Sequence, residues 1–253
     1  MSGHSKWHNI RLKKGKVDAQ RGQLFTKLSK EIIVAARAGS PDPEANFRLK
    51  MAVAKARDNN MPMDNIKRAI ARASGEGKSE SFEEVRYEGY GPRGVAVIVE
   101  AVTDNRNRTA SEMRYAFSRN GGNLGETGSV GWLFEQRGVI RIPRAGITED
   151  QLLECAVADG VLDVKLEDQS AEIVTEPPAL SDVRAMIERT LLGPRHLAVE
   201  SAGLELVAKT QADVTREDAP AVLKFLDALE EHDDVTHVYS NADIPDAVLE
   251  ALA

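Results

Sequence analysis

The residues of this sequence best suited to chemistry lie among its first thirty positions, which hold eight Lys or Arg and one acid, Asp18. Cationic side chains neutralise phosphates and release counterions, so log K falls against log[salt] by about 0.9 per contact on duplex DNA and about 0.7 on single strands. We call residues 1–17 the leader. Its cations predict a surface for a polyanion; they are Lys6, Arg11, Lys13, Lys14 and Lys16.

Three aromatic rings lie among these cations, those of His4, Trp7 and His8. An indole or imidazole ring can stack on an unpaired base or a sugar. A basic arm with one aromatic anchor suits a crevice in folded RNA, where it becomes ordered on binding, and it can also follow a DNA groove. The sequence shows no dimerisation heptads and no helix of clustered base-reading side chains, so specific duplex readout is not evident. A helix-turn-helix variant in the helices that follow stays open.

A second candidate contact is the stretch "DNRNRTASE" at 104–112. The pattern predicts a capping box, with Thr109 as N-cap and Glu112 at the third helical position, and it places Arg106 and Arg108 just before the helix. Free backbone N–H groups at such an end favour an anion. The alternative, equally open, is that the aspartate and asparagines build a turn and the arginines are solvated.

The candidate nucleic-acid-binding residues are His4, Ser5, Lys6, Trp7, Arg11, Lys13, Lys14, Lys16, Arg21, Lys27, Arg106 and Arg108.

Charge is divided unevenly along the chain. Residues 1–78 hold 17 basic and 7 acidic side chains, a net charge of +10, and the remaining 16 basic and 33 acidic side chains give −17. Such asymmetry indicates a basic module that binds a polyanion, joined to an acidic body that does not. Basic helices are often only solvated surfaces, but the leader has too many cations and too few apolar residues to pack as a core element.

No pattern of catalytic or metal-binding residues emerges. Cys155 falls in the apolar helix pattern "LLECAVADG" and reads as a buried structural thiol. His4 and His8 have ligand-like spacing, but no further ligand completes a site and the local charge repels a cation. The glycines at 121–131 lack the Gly-Lys-Ser/Thr ending and the preceding strand of a phosphate loop. The sequence therefore predicts no enzyme, no metal, no cofactor and no small-molecule substrate.

The composition predicts a soluble, cytoplasmic protein. No window approaches the roughly eighteen consecutive apolar residues of a membrane span, and no apolar segment of the signal-peptide type follows the basic start. Charge alone does not separate the leader from a mitochondrial presequence. The single cysteine suits a reducing compartment. A monomer is favoured.

Apolar spacing predicts three helices after the leader. In the first, Leu24, Leu28 and Ile32 recur every four residues from Asp18 onward, and Gly39 ends it. The third, within "MPMDNIKRAIARASG", spaces Ile66 and Ile70 by one turn. Their polar faces are expected to keep the basic side chains in water, including Lys27, Lys30 and Lys55.

The second helix is predicted to begin with Asp42 as N-cap and Pro43 at the first helical position, and to end at Asn59-Asn60. Its buried face is predicted to be Phe47, Met51 and Ala54.

A polar, Gly/Ser-rich linker at 74–81 separates these helices from an α+β region. The β-branched run at 94–104 predicts a central strand. Between 132 and 212 the elements follow the order strand, helix, strand, strand, helix, strand of a ferredoxin-like unit.

The predicted fold class is α+β, with a three-helix basic domain followed by two α/β (ferredoxin-like) domains, one inserted in the other. The predicted domains are a basic, nucleic-acid-binding helical domain at 1–80 that starts with an irregular arm, an α/β domain at 81–131 plus 208–253, and the inserted domain at 132–207.

Several motifs resemble the YebC/PmpR family, which includes the mitochondrial translational activator of cytochrome oxidase subunit one. They are "GHSKW", "RG..FTKL..EI..AA..G", "YEGYGP.GVA..VE..TDN.NRT" and "GGNLG..GSV.W.F", between residue 3 and about 134. Phe47 stands where the family usually has proline and His8 where it usually has alanine.

The resemblance implies three domains, with the third inserted into the second, and no enzyme activity. Family members are generally described as DNA-binding transcriptional regulators, while others resemble ribosome-associated translation factors. The stacking and phosphate contacts predicted for the leader favour ribosomal RNA, and the usual family description favours DNA.

Overall fold

The computed structural model describes residues 17–73, 82–166 and 170–252. The chain forms two compact units. One contains the described residues up to Phe134 together with those from Ala208 onward, and the other is Glu135–Val207. The division into three domains stays a prediction.

The first unit begins with a helical module, which we define as α1–α3: α1 (Val17–Arg37), α2 (Phe47–Asp58) and α3 (Met63–Ala73). Helix α1 packs against both of the others. Leu28 and Ile32 are fully buried in the shared core with Ile66, and Leu24 packs against them while partly exposed. The stripe predicted for α1 is confirmed.

The predicted start of α2 is wrong. The helix begins at Phe47, and Asn46 is its N-cap, accepting the Leu49 N–H at 3.1 Å. The Asn46 amide also donates to the carbonyls of Ala35 and Ser40, each at 2.8 Å, which fixes it to the end of α1. Asp42 instead accepts the backbone N–H of Glu44 in a local turn.

The predicted buried face of α2 is also wrong. Leu49, Val53 and Ala56 are buried, whereas Phe47 is 50% exposed. Both sets of residues have helical spacing, so periodicity alone does not decide between them. The set that faces α1 is the one that becomes buried. The end predicted at Asn59-Asn60 is confirmed by the C-cap, Asn59.

The first unit continues as an α/β layer. Its elements are β1 (Glu83–Tyr90), β2 (Ala96–Thr103), α4 (Arg106–Arg119), β3 (Asn123–Leu124), and, after the second unit, β8 (Ala212–Asp213), α7 (Ala219–Glu230), β9 (Val235–Ser240), β10 (Ala242–Asp243) and α8 (Asp246–Leu252).

Strand β2 lies between β1 and β9 in a four-stranded sheet of order β3-β1-β2-β9, and it is antiparallel to both neighbours. This confirms the central strand predicted at 94–104. Helices α4 and α7 share the sheet's main core, where Phe117 and Phe225 meet edge to face with ring centroids 5.1 Å apart. Helix α1 packs against β9 and β2, which joins the helical module to this layer.

The capping box predicted at Thr109 is wrong. Helix α4 begins at Arg106, and Asn105 is its N-cap, accepting the Arg108 N–H at 3.1 Å. Thr109 lies inside the helix and is buried, and its hydroxyl donates to the Asp234 carboxylate at 2.8 Å. Glu112 sits on the exposed side of α4 and bonds to His232. The burial of Thr109 depends on a residue 125 positions away.

The second unit is ferredoxin-like. Its elements are β4 (Phe134–Pro143), α5 (Glu149–Ala156), β5 (Val161–Leu166), β6 (Ser170–Thr175), α6 (Leu180–Ile187) and β7 (Ser201–Ala208).

These four strands form a sheet of order β5-β6-β4-β7, and β6 is antiparallel to both β5 and β4. The element order predicted from the sequence is thereby confirmed. Helix α6 passes into a π-helical turn at Glu188–Leu192. Cys155 is buried, as predicted, and burial raises the pKa of its thiol.

Candidate nucleic-acid interface

Most of the predicted contact residues lie outside the described part of the chain. They are His4, Ser5, Lys6, Trp7, Arg11, Lys13, Lys14 and Lys16. The predicted absence of a metal at His4 and His8 also concerns this part. Arg21 falls within α1. Because α1 begins at Val17, the leader continues directly into the helical module.

Two cations of α1 bind the α/β layer instead of facing water. The Lys27 ammonium donates to the carbonyl of Glu230, at the end of α7. Burial lowers the pKa of Lys27, and the nearby acids offset this only in part. Lys30 donates to the Asp233 carbonyl at 3.0 Å and to the Asp234 carboxylate at 2.8 Å, and only 12% of its side chain is exposed. The expectation that the module's basic side chains stay in water is wrong for Lys27 and Lys30, because the end of α7 and the turn before β9 supply acceptors for them.

Asp234 gathers three donors from two parts of the first unit. Besides Lys30, its carboxylate accepts from Arg108 at 2.9 Å and from the Thr109 hydroxyl at 2.8 Å. Burial raises the pKa of Asp234, but hydrogen bonds from Lys30, Thr109 and Arg108 outweigh this effect and hold the pKa well below its ordinary value. The carboxylate therefore stays charged and ties α1 to α4.

The proposed contact at 104–112 differs from its predicted arrangement. Arg106 and Arg108 lie in the first turn of α4 rather than ahead of it. Arg108 pairs with Asp104 at 2.8 Å as well as with Asp234, and 44% of its side chain is exposed. Arg106 is exposed. Arg108 is therefore held by two acidic side chains of the protein, whereas Arg106 is an exposed side chain at the start of the same helix.

A second polar cluster joins the helical module to β9. The Lys55 ammonium lies 2.9 Å from the Glu31 carboxylate and 2.7 Å from His237 Nε2. Burial raises the pKa of Glu31, but the charges of Lys55 and His237 and the hydrogen bond from Lys55 outweigh it, so the pKa is lowered. On its other side, His237 Nδ1 lies 3.6 Å from Glu100 of β2.

The outer surface of the helical module remains basic. Seven of its described cations are exposed, against four exposed acids. We define these cations as the basic face: Arg37, Arg48, Lys50, Arg57, Lys67, Arg68 and Arg72. They outnumber the exposed acids by three and give the described part of the module an excess of exposed positive charge.

Glu112, His232 and Asp234 offer donor atoms within 4.8 Å of one another, a spacing that could suit a metal ion. Each atom already has a protein partner. His232 Nε2 bonds to Glu112 at 2.9 Å, and His232 Nδ1 accepts the Asp234 N–H at 3.1 Å. Because Asp234 holds Lys30 and Arg108, the cluster works as an ion-pair network.

Trp132 and Tyr90 are two of the exposed aromatic side chains that received no functional role from the sequence. Trp132 is 66% exposed and Tyr90 is 38% exposed. The sequence does contain a hint of this, because Trp132 comes directly after the Gly-rich stretch 120–131. A large apolar side chain next to such a stretch has little core to enter.

Among the described residues, no helix is long and apolar enough to cross a membrane.

Comparison with known proteins identifies relatives along nearly the whole chain. The family model for the TACO1/YebC protein N-terminal domain matches residues 5–76, and the model for the TACO1/YebC second and third domain matches residues 82–242. The crystal structure of a conserved hypothetical protein from Aquifex aeolicus superposes with a TM-score of 0.81 at 46% identity, covering 91% of this chain and 93% of that one.

Two curated relatives carry the name "Probable transcriptional regulatory protein". The relative from Sulfurihydrogenibium sp. is 49% identical, over 100% of this chain and 99% of its own length. The relative from Dictyoglomus turgidum is 47% identical, over the full length of both. With both domain models matched in chain order and full-length relatives near half identity, the chain belongs to the TACO1/YebC family.

Proposed function

We propose that this protein is a non-enzymatic regulator of gene expression that binds nucleic acid through the leader and the basic face. The observation that carries the proposal is the separation of charge: residues 1–78 have a net charge of +10 on a chain whose net charge is −7. The basic face supports it, since seven exposed cations on one helical module form a surface for phosphates.

We favour RNA, and ribosomal RNA in particular, as the partner. The leader joins five cations to the indole of Trp7, and phosphate neutralisation combined with ring stacking suits unpaired bases better than a closed duplex. Hydrogen bonds turn Lys27 and Lys30 toward the α/β layer, whereas the cations of the basic face are exposed, including those in the surface ion pairs of Arg48 with Glu84 and Lys50 with Glu44. We therefore assign the contact to the leader and the basic face rather than to Lys27 and Lys30. A cytoplasmic location and a monomeric state belong to the same proposal.

A DNA-binding transcriptional regulator is the second candidate. The names of the full-length relatives favour it. Both candidates use the same basic surface, so they differ in the partner and not in the location of the contact.

Co-sedimentation with ribosomes and gel shift on duplex DNA, both at about 0.15 M salt where the Debye length is about 8 Å, separate the two candidates. Leader-dependent sedimentation with weak, sequence-blind DNA binding is the expected result. Tight, sequence-selective DNA binding without ribosome association would establish the second candidate instead.

The test variant is Lys13→Glu with Lys14→Glu and Lys16→Glu. The matched control applies the same change in charge to three exposed cations outside the helical module, Arg189, Arg216 and Lys224. Loss of binding in the first variant alone assigns the contact to the leader. Equal loss in both variants would mean that binding depends only on the net charge of the protein.

A further inference from the structure

Tyr90 and Trp132 are exposed aromatic residues with one shared anchor. Trp132 Nε1 donates to the Ser129 carbonyl at 3.2 Å, and the Tyr90 hydroxyl donates to the same oxygen at 3.3 Å. The polar atom of each side chain is thus satisfied by the protein. What remains exposed is the apolar surface of the two rings, which is open to contact with a ligand.

The backbone that carries Trp132 is fixed on both sides. Glu88 is buried in β1, and its carboxylate accepts the N–H groups of Val130 at 2.9 Å and Gly131 at 2.7 Å. After the tryptophan, the Lys209 ammonium donates to the Trp132 carbonyl at 3.1 Å, and the Lys209 N–H donates to the Leu133 carbonyl at 2.8 Å. A ring held in this way binds a ligand without a large cost in ordering.

The surroundings of the rings are polar. Lys209 is exposed and places a cation beside Trp132. The exposed residues of the adjoining loop contain no aliphatic side chain; they are Gly121, Asn123, Glu126, Thr127 and Gly128. A docking site for a protein would need more apolar area around the aromatic anchors, whereas a base needs a ring to stack on and a cation near its phosphate.

We infer that Tyr90, Trp132 and Lys209 form an aromatic surface that stacks unpaired bases of single-stranded or looped RNA, with Lys209 beside the backbone phosphate. The inference rests on the proposed RNA binding. It adds a second contact, separate from the leader in sequence, on the acidic part of the chain, which the charge pattern alone does not predict to bind a polyanion. Duplex DNA offers no unstacked base and does not engage this surface.

The test uses the chain's own fluorescence. The protein has two tryptophans, Trp7 and Trp132, so in a full-length Trp7→Phe background the emission reports Trp132 alone. Unstructured oligouridylate is titrated while its binding is followed independently by anisotropy of a label on the RNA, and a blunt DNA duplex with the same number of phosphates is the comparison. We expect saturable quenching that tracks binding of the RNA and no quenching by the duplex.

Variants in the same background separate stacking from charge. Trp132→Ala is expected to weaken RNA binding about tenfold, the order of effect of losing one stacked base, with an unchanged salt dependence. Trp132→Phe is expected to keep most of the affinity. Lys209→Gln is expected to lower the slope of log K against log[salt] by about 0.7. If Trp132→Ala unfolds at the same temperature as its parent, a loss of fold is excluded as the cause of its weaker RNA binding.

The outcomes also separate this inference from the proposed function. If RNA binds with unchanged Trp132 emission, and Trp132→Ala binds like its parent, the aromatic surface is refuted while the leader stands. If the Lys13, Lys14 and Lys16 charge reversal leaves affinity intact while Trp132→Ala loses it, the leader fails and the aromatic surface stands. Absence of RNA binding by the wild-type protein refutes both. An emission shift that depends on protein concentration without RNA would show that a second copy covers the rings, and would overturn the inference.

Discussion

Lys30 of α1 and Asp234, just before β9, form a buried salt bridge that ties the helical module to the α/β layer. The ammonium and the carboxylate are 2.8 Å apart, and their side chains are 12% and 7% exposed. Asp234 also holds Arg108 and Thr109, so a single carboxylate fixes α1 and α4 together. Cations of the helical module that face inward thus help to attach the module to the α/β layer.

Replacing Asp234 by Asn should destabilise the protein. The change leaves the largely buried Lys30 ammonium without its counter-charge, and breaking such a pair costs up to about 3 kcal/mol. Chemical denaturation monitored by circular dichroism measures the change in the free energy of unfolding. Asp233→Asn is the matched control, because Asp233 is exposed and accepts from Gln23 at 3.5 Å; it should cost less than about 0.5 kcal/mol. Equal effects of the two changes would contradict this account of Asp234.

The same carboxylate should make stability depend on acid. The pKa of Asp234 lies below its ordinary value of 3.8, so the unfolded chain takes up a proton at a higher pH than the folded chain does. Its contribution is therefore full above pH 3.8 and is lost as the pH falls towards the lowered pKa of the folded state. Thermal unfolding measured from neutral pH down to about pH 2 should show a smaller acid-dependent loss in Asp234→Asn than in the wild type. Parallel pH profiles would show that Asp234 has an ordinary pKa.

Lys27→Met should leave nucleic-acid affinity unchanged. The Lys27 ammonium bonds to the Glu230 carbonyl within the protein, so removing its charge leaves the exposed cations of the basic face unchanged. Lys67→Met is the control, since Lys67 belongs to the exposed basic face; we expect it to reduce the salt slope on single-stranded RNA by about 0.7. Isothermal titration over a series of salt concentrations measures both. If Lys27→Met lowered the salt slope as much as Lys67→Met does, Lys27 would be shown to contact the RNA.

The two arginines of α4 should respond differently to charge reversal. Arg108→Glu faces Asp104 and Asp234, so like charges meet and the unfolding temperature should fall. Arg106→Glu alters an exposed side chain and should leave the unfolding temperature unchanged; it weakens RNA binding only if the start of α4 is a second contact beside the leader and the basic face. Differential scanning calorimetry and RNA titration separate these effects. Unchanged RNA binding in Arg106→Glu would indicate that the start of α4 is only solvated.

Glu88→Gln should loosen the segment that carries Trp132. Burial raises the pKa of Glu88, but hydrogen bonds from the N–H groups of Val130, Gly128 and Gly131 outweigh it and lower the pKa below 4.5. The neutral amide replaces charge-assisted bonds by weaker ones, at a cost of about 1–2 kcal/mol. Hydrogen exchange at Val130 and Gly131 should speed up in the variant while exchange in β2 stays slow. Unaltered exchange at both amides would remove Glu88 from this role.

The sequence predicts those parts of the fold that depend on nearby residues. The apolar stripe of α1, the β-branched run of β2 and the element order of the second unit are all local patterns, and the structure confirms them. Strand β1 escapes prediction because "EEVRYEGY" is largely polar and becomes a strand by pairing with β2. Helix α8 at the C-terminal end was missed as well.

The errors at helix starts have a common physical cause. Asn46 caps α2 because its amide reaches back to Ala35, and Thr109 is buried because Asp234 comes from a distant part of the chain. In the same way, the inward position of Lys27 and Lys30 depends on the turn between α7 and β9. Charge counting finds a basic module, but only tertiary contacts divide its cations into those turned toward the α/β layer and those exposed at the surface.

The most direct test of the central claim is the salt dependence of binding to a ribosomal RNA fragment, compared between the full-length protein and its Lys13→Glu, Lys14→Glu, Lys16→Glu variant. The account predicts that the variant loses binding at about 0.15 M salt, and that its residual affinity at low salt has a slope of log K against log[salt] reduced by about 2, or three contacts of about 0.7 each. The Arg189, Arg216 and Lys224 reversal should keep the wild-type slope. Equal affinities and slopes for all three proteins would contradict the assignment of the leader as the phosphate-binding element.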